Sequence, residues 1–206
     1  MLKIWGRTNS VNVQKVLWCC GELEIPYERV DAGGQFGRTG EPDYLAMNPT
    51  GLIPTIEDDG FALWESNTIV RYLCARHGAN TLWPEDPVTR ALAEKWMDYQ
   101  LGTLWVAFRA AFLGLVRTPP EQRDMDQIGA SLESTARALA LLDRHLADNE
   151  HVVGSSFTMG DVALGSTVYR WLNMEIERPE MPNLVAWHDR LSGRPAYQRS
   201  VMVPFT

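Results

Sequence analysis

The residues of this chain that could do chemistry fall in three short blocks: Ser10-Val11-Asn12, Ile53-Pro54 and Glu65-Ser66. Proline cannot donate to a strand ladder, so Pro54 belongs at the start or edge of a strand. An X-Pro bond is also the only common place for a cis peptide, which here would turn the N–H and C=O of Ile53 towards a visiting peptide. Glu65 and Ser66 precede the apolar-periodic Ile69, Val70 and Leu73. A helix N-terminus has free N–H groups and a partial positive charge, so it suits a carboxylate ligand. The 53–66 stretch therefore offers a peptide-backbone clamp and an anion cradle side by side. Ser10 stands before a helical pattern as a candidate N-cap, the commonest use of such a serine.

The elements that must position these blocks are legible from period and punctuation. Residues 2–6 predict a short buried strand, and Val13, Val16, Leu17, Cys20 and Leu23 predict a helix to about residue 24. A strand follows over 27–31, then a Gly-rich loop over 32–42 and a helical turn over 43–47. Strands near 53–57 and 61–64 flank Asp58-Asp59-Gly60, a hairpin signal, and a helix over 65–77 closes the region. The order is βαβ then ββα, a four-stranded mixed sheet with helices packed on it.

Residues 80–87 form a linker, after which strand signals stop. Long helices are predicted over 88–116 and 121–149, and Thr158 with Asp161 makes a capping-box variant opening another. Pro182 and Pro195 start two short terminal helices. The expected fold class is α/β plus all-α: residues 1–79, a linker over 80–87, and a helical domain over 88–206.

Composition bounds the function. The chain of 206 residues, 45% hydrophobic and 22% charged, is ordinary for a globular protein. A net charge of −7 argues against a nucleic-acid partner. No uninterrupted apolar run approaches the ~18 residues of a membrane span, and no secretory signal opens the chain. Three cysteines, two of them adjacent, make neither a disulfide framework nor a metal site. Free thiols fit a reducing cytoplasm. Cys19 and Cys20 lie inside the first predicted helix and read as core thiols. His77, His145, His151 and His188 lack metal-ligand spacing.

Taken together, NPTGLIPTI, WESNTIVRYL and FTMGDVAL resemble, in order and spacing, three segments of the soluble glutathione transferases, over essentially the whole chain. The resemblance implies a thioredoxin-like N-terminal domain, an all-helical C-terminal domain, glutathione as co-substrate without a metal, and a homodimer. Ser10-Val11-Asn12-Val13 is similar to the opening of the first helix in the serine-type phi class, and theta-like bacterial members also fit. Other blocks resemble bacterial transferases acting on small halogenated acids. The resemblance assigns Ser10 to the glutathione sulfur, Ile53 to the cysteinyl backbone, and Glu65 and Ser66 to the γ-glutamyl end. At the glycyl end the family's His/Lys pair is replaced by Thr39-Gly40, with Arg38 adjacent. Leu52 stands where the phi pattern has a polar residue, so one hydrogen bond is missing.

That assignment implies a definite chemistry. The thiolate is the nucleophile, and a thiol of pKa ~8.5 is roughly 3% ionised near neutral pH. One or two hydrogen bonds of ~1.5–3 kcal/mol each lower that pKa by about 2 units. Ser10 is placed to supply one, and the Asn12 amide is a candidate for another. Nucleophilicity falls with pKa at a slope near 0.4–0.5, so positioning contributes more than ionisation.

A second substrate is expected between the domains. Trp105, Phe108, Arg109 and Phe112 fall at i, i+3, i+4 and i+7 of one helix, either a core stripe or an aromatic site with one cation. A cation there favours an anionic electrophile such as a haloacid. The expected activity is glutathione transfer to a small electrophile, in detoxification. A non-catalytic binding protein on the same fold and a glutathione-dependent peroxidase are the alternatives.

Overall fold

The computed structural model describes residues 1–205. Strand β1 (Leu2–Trp5) is central, with parallel β2 (Tyr27–Val30) on one side and antiparallel β3 (Thr55–Asp58) on the other. The hairpin partner β4 (Phe61–Trp64) completes a sheet of order β2-β1-β3-β4. Ile4 and Ile56 are opposed on β1 and β3 and fully buried, so the apolar face fixes the register. Helices α1 (Val11–Glu22) and α3 (Ser66–His77) bury Val13, Val16, Leu17, Ile69, Val70 and Leu73. The six-residue α2 (Pro42–Met47) buries Tyr44.

The helical part comprises α4 (Pro87–Tyr99), α5 (Trp105–Val116), α6 (Met125–Leu146), α7 (Met159–Asn173) and α8 (Pro182–Ser192). The single helix expected over 88–116 is interrupted. A π-helical turn at Gln100–Leu104 separates α4 from α5, and buried Gln100 donates to the Thr167 hydroxyl at 3.1 Å. The second long helix starts later than expected, because Asp124 caps it by accepting from Gln127 N–H at 2.9 Å. By length and composition alone, 87–116 is apolar enough to cross a membrane, although it holds no uninterrupted apolar run of about 18 residues. Thr158 opens α7 as predicted, and Asp161, fully buried, accepts from Thr158 N–H at 2.9 Å. Asp161 also accepts from Val152 N–H at 3.1 Å and Trp187 Nε1 at 2.9 Å. Gly160 makes this junction fit, since a Cβ there would lie 2.9 Å from Val152 Cγ2 and 3.0 Å from the Ala93 carbonyl oxygen.

The chain divides into two compact units, Met1–Glu85 with Ser192–Phe205, and Asp86–Leu191. This differs from the expected division at the C-terminal end. Helix α9 (Pro195–Ser200) packs on α1, where Tyr197 meets Trp18 edge-to-face at 4.6 Å. Arg194 adds a two-pronged bond to the Glu22 carboxylate at 2.9 and 2.7 Å.

Candidate active site

Sheet register gathers the three chemical blocks. Trp5 pairs with Val30 and Thr55, and Thr55 pairs with Trp64. One end of the sheet therefore leads into the loop before Ser10, the Gly-rich loop after β2, the entry to β3 at Ile53-Pro54, and Glu65-Ser66. Loop residues set on a rigid sheet edge are a common place for function.

Ser10 holds the N-cap position of α1 with an extended backbone, and its C=O accepts from Gln14 N–H at 2.9 Å. Its hydroxyl makes no capping bond, and among the described residues it has no hydrogen-bond partner. The residue is 8% exposed. A serine used only as a cap would spend its oxygen on the N–H of the second or third helical residue. This hydroxyl is uncommitted. Asn12, in the first turn, likewise has a side-chain amide without a partner among the described residues.

The Ile53–Pro54 peptide is cis. Its approach is built by Asn48, whose amide donates to the Leu52 carbonyl at 2.8 Å and the Thr55 hydroxyl at 3.0 Å. Asn48 Oδ1 accepts from both the N–H and the hydroxyl of Thr50, at 3.1 and 2.6 Å. Tyr44 reinforces the loop from α2, donating to the Leu52 carbonyl at 2.5 Å and lying 2.8 Å from the Thr55 hydroxyl. The missing polar side chain at Leu52 is thus no gap in the loop's own structure, because its carbonyl carries two bonds. Among the described residues the N–H and C=O of Ile53 have no partner. Gly33, at φ +77°, passes so close that a Cβ would lie 2.9 Å from Ile53 Cδ1.

Glu65 has φ +70°, a conformation uncommon outside glycine. Its side chain is exposed and makes no capping bond, while its C=O accepts the Ile69 N–H at 2.8 Å. Ser66 is buried, with its oxygen 3.4 Å from the Lys15 ammonium. Sequence reasoning missed Lys15. It is fully buried on α1, and no alternation marks it apart from a solvated lysine.

Arg38 also has positive φ, +68°. Its guanidinium lies 5.7 Å from the Trp5 ring centroid, and among the described residues no carboxylate neutralises it. Trp5 is itself held by its Nε1 bond to Glu57 at 2.7 Å.

In the helical unit, Phe108 and Phe112 are closed into an aromatic cluster with Trp105 and Trp171, at centroid distances of 5.8–6.3 Å. Both side chains are buried, in keeping with the core-stripe alternative. Trp105 stays partly exposed and Arg109 exposed.

The three cysteines are free and fully buried. Cys19 and Cys74 sulfurs are 3.6 Å apart between α1 and α3. The contact with Cys74 and burial push the Cys19 thiol up, and burial pushes Cys20 up to about 12. Such thiols are not nucleophiles. No group of three or more metal-ligating side chains occurs among the described residues.

The sequence and the fold are shared with known proteins. The family model "Glutathione S-transferase, N-terminal domain" matches residues 6–81, and "Glutathione S-transferase, C-terminal domain" matches 125–190. Glutathione S-transferase GstB of Escherichia coli K12 is 47% identical over 206 residues, covering 99% of either chain. The chain belongs to the glutathione S-transferase family. The theta-class glutathione S-transferase of Xanthomonas axonopodis pv. citri, crystallised with glutathione bound, superposes with TM-score 0.97 at 47% identity. That match covers 100% of this chain and 99% of the other. Glutathione transferase F2 of Populus trichocarpa shares the fold, with TM-score 0.89 over 98% of either chain at 22% identity. As a family member the protein is a transferase that uses glutathione, on a thioredoxin-like domain joined to a helical one.

Proposed function

We propose that this transferase catalyses attack of the glutathione thiolate on a small electrophile, with Ser10 as the donor that stabilises the sulfur. The observation carrying the reading is the uncommitted Ser10 hydroxyl at the N-terminus of α1, at the sheet end shared with Ile53 and Glu65-Ser66. The tripeptide lies along the free backbone groups of Ile53, beside Pro54. Its γ-glutamyl ammonium meets the Glu65 carboxylate, and its α-carboxylate meets Ser66 and the N-terminus of α3. Arg38 takes the glycyl carboxylate. Asn12 is the second donor near the sulfur. These bonds hold the thiolate for attack, which is worth more than the gain in ionisation alone.

For the electrophile we favour a small halogenated acid. The exposed Arg109, one turn from Trp105 on α5, supplies a cation for its carboxylate. The halide leaves as the carbon–sulfur bond forms, giving an S-carboxyalkyl glutathione and serving detoxification in the cytoplasm. A homodimer is also proposed. Its support is the surface of α5, α6 and the π-helical turn before α5, where Gly102, Thr103, Ala107, Ala110 and Ala130 line a groove beside Val106, itself 67% exposed. Sedimentation at micromolar concentration tests that state.

The activity is tested by halide release from haloacids against neutral aryl halides, each with glutathione, and by a parallel hydroperoxide assay. Arg109→Ala raises the haloacid KM selectively if the reading is right. An equal change for neutral and anionic electrophiles contradicts it, and turnover confined to the hydroperoxide replaces conjugation with peroxide reduction.

A further inference from the structure

Lys15 is a fully buried lysine whose ammonium is aimed at the first turn of α3. Its Nζ lies 3.1 Å from Asn67 Oδ1 and 3.4 Å from Ser66 Oγ. Lysine is almost never fully buried, and a charge taken from water needs compensation. Here the acceptors come from the same turn that carries the candidate γ-glutamyl contact. An ammonium can only donate, whereas a hydroxyl accepts on its lone pairs and donates one hydrogen. Ser66 oxygen therefore accepts from Lys15, which leaves its O–H to donate elsewhere. The ammonium also adds to the positive end of the α3 dipole.

We propose that Lys15 is a positioning residue for the glutamyl end of glutathione. It turns the Ser66 hydrogen towards the bound α-carboxylate and holds Asn67, and with it the first turn of α3, in place. A charge-assisted bond polarises the hydroxyl and strengthens its outgoing bond. This rests on the reading that Ser66 holds the γ-glutamyl carboxylate.

The test is a double-mutant cycle on glutathione affinity, measured by calorimetry with Lys15→Met and Ser66→Ala. Lys15→Met weakens glutathione binding by about tenfold when Ser66 is present, and by less than about threefold when Ser66 is already alanine. Turnover of an aryl halide at saturating glutathione stays within about twofold, since Ser10 is untouched. Equal losses in both backgrounds, or no loss at all, overturn the proposal. Should Lys15→Met not fold, Lys15→Gln keeps an N–H donor and carries the same cycle with an expected loss of about threefold. If Ser66→Ala alone leaves affinity unchanged, the γ-glutamyl assignment itself has failed, an outcome distinct from failure of the cycle.

Discussion

Thr55 stands opposite Trp5 across β1 and β3, and its hydroxyl is held at 3.0 Å by the Asn48 amide. This pairing ties the loop before Ser10 to the one carrying Ile53. The strand register and the NPTG loop are therefore one structure: losing Asn48 would leave the Leu52 carbonyl and the Thr55 hydroxyl each held by Tyr44 alone. The geometry at the sheet end depends on such buried polar bonds rather than on any one catalytic side chain.

Arg38 gives the first prediction. Arg38→Ala weakens glutathione about tenfold, but γ-glutamylcysteine, which lacks the glycyl carboxylate, by less than about twofold. Calorimetry on both ligands reads the difference. Equal weakening would place the glycyl carboxylate away from Arg38.

The capping residue of α7 gives a stability prediction. Asp161→Ala strips the acceptor from the Val152 and Thr158 N–H groups and from the Trp187 indole. Unpaired buried donors cost ~1–3 kcal/mol each, so about 3–5 kcal/mol is lost and Tm falls by roughly 10 °C. A shift within a degree or two, read by calorimetry, would mean the bonds are replaced.

Cysteine chemistry separates this site from thiol enzymes built on related folds. With all three thiols buried and the Cys19 and Cys20 thiols pushed up, the native protein resists a thiol reagent near pH 8. Denaturation exposes all three cysteines. Rapid labelling of one thiol in the native protein would contradict this.

His188 sets a pH dependence of stability. Burial lowers its pKa from 6.5, with partial opposition from the Asp189 carboxylate. Between the depressed folded value and 6.5 the unfolded chain binds more protons than the native one. The His188 contribution is thus fully present above 6.5 and is lost as pH falls from there towards the folded pKa. In the same window His188→Gln flattens the fall of Tm, read as the difference from the parent. Parallel curves would show that His188 titrates alike in both states.

Much of the fold was legible because its signals are local. Proline at 54 had to open a strand, Asp59-Gly60 had to turn, and Thr158 with Asp161 had to start a helix. What stayed hidden is non-local or runs against residue type. Glu65 at positive φ violates its own preference, and only the surrounding turn enforces it. Lys15 reads as a solvated residue until α3 is packed over it. The π-helical turn at 100–104 leaves the apolar spacing of 105–112 intact, so one continuous helix was the natural expectation. Docking of α9 on α1 depends on Arg194 finding Glu22, a separation that no window along the chain spans.

The role proposed for Ser10 is measured most directly by the ionisation of bound glutathione. Titrating the thiolate absorbance of the enzyme–glutathione complex gives a pKa about 2 units below the free value of ~8.5 for the parent protein. In Ser10→Ala that pKa returns upward by at least about one unit, while glutathione affinity is retained. An unchanged thiol pKa in Ser10→Ala would contradict the account and move activation of the sulfur to another donor.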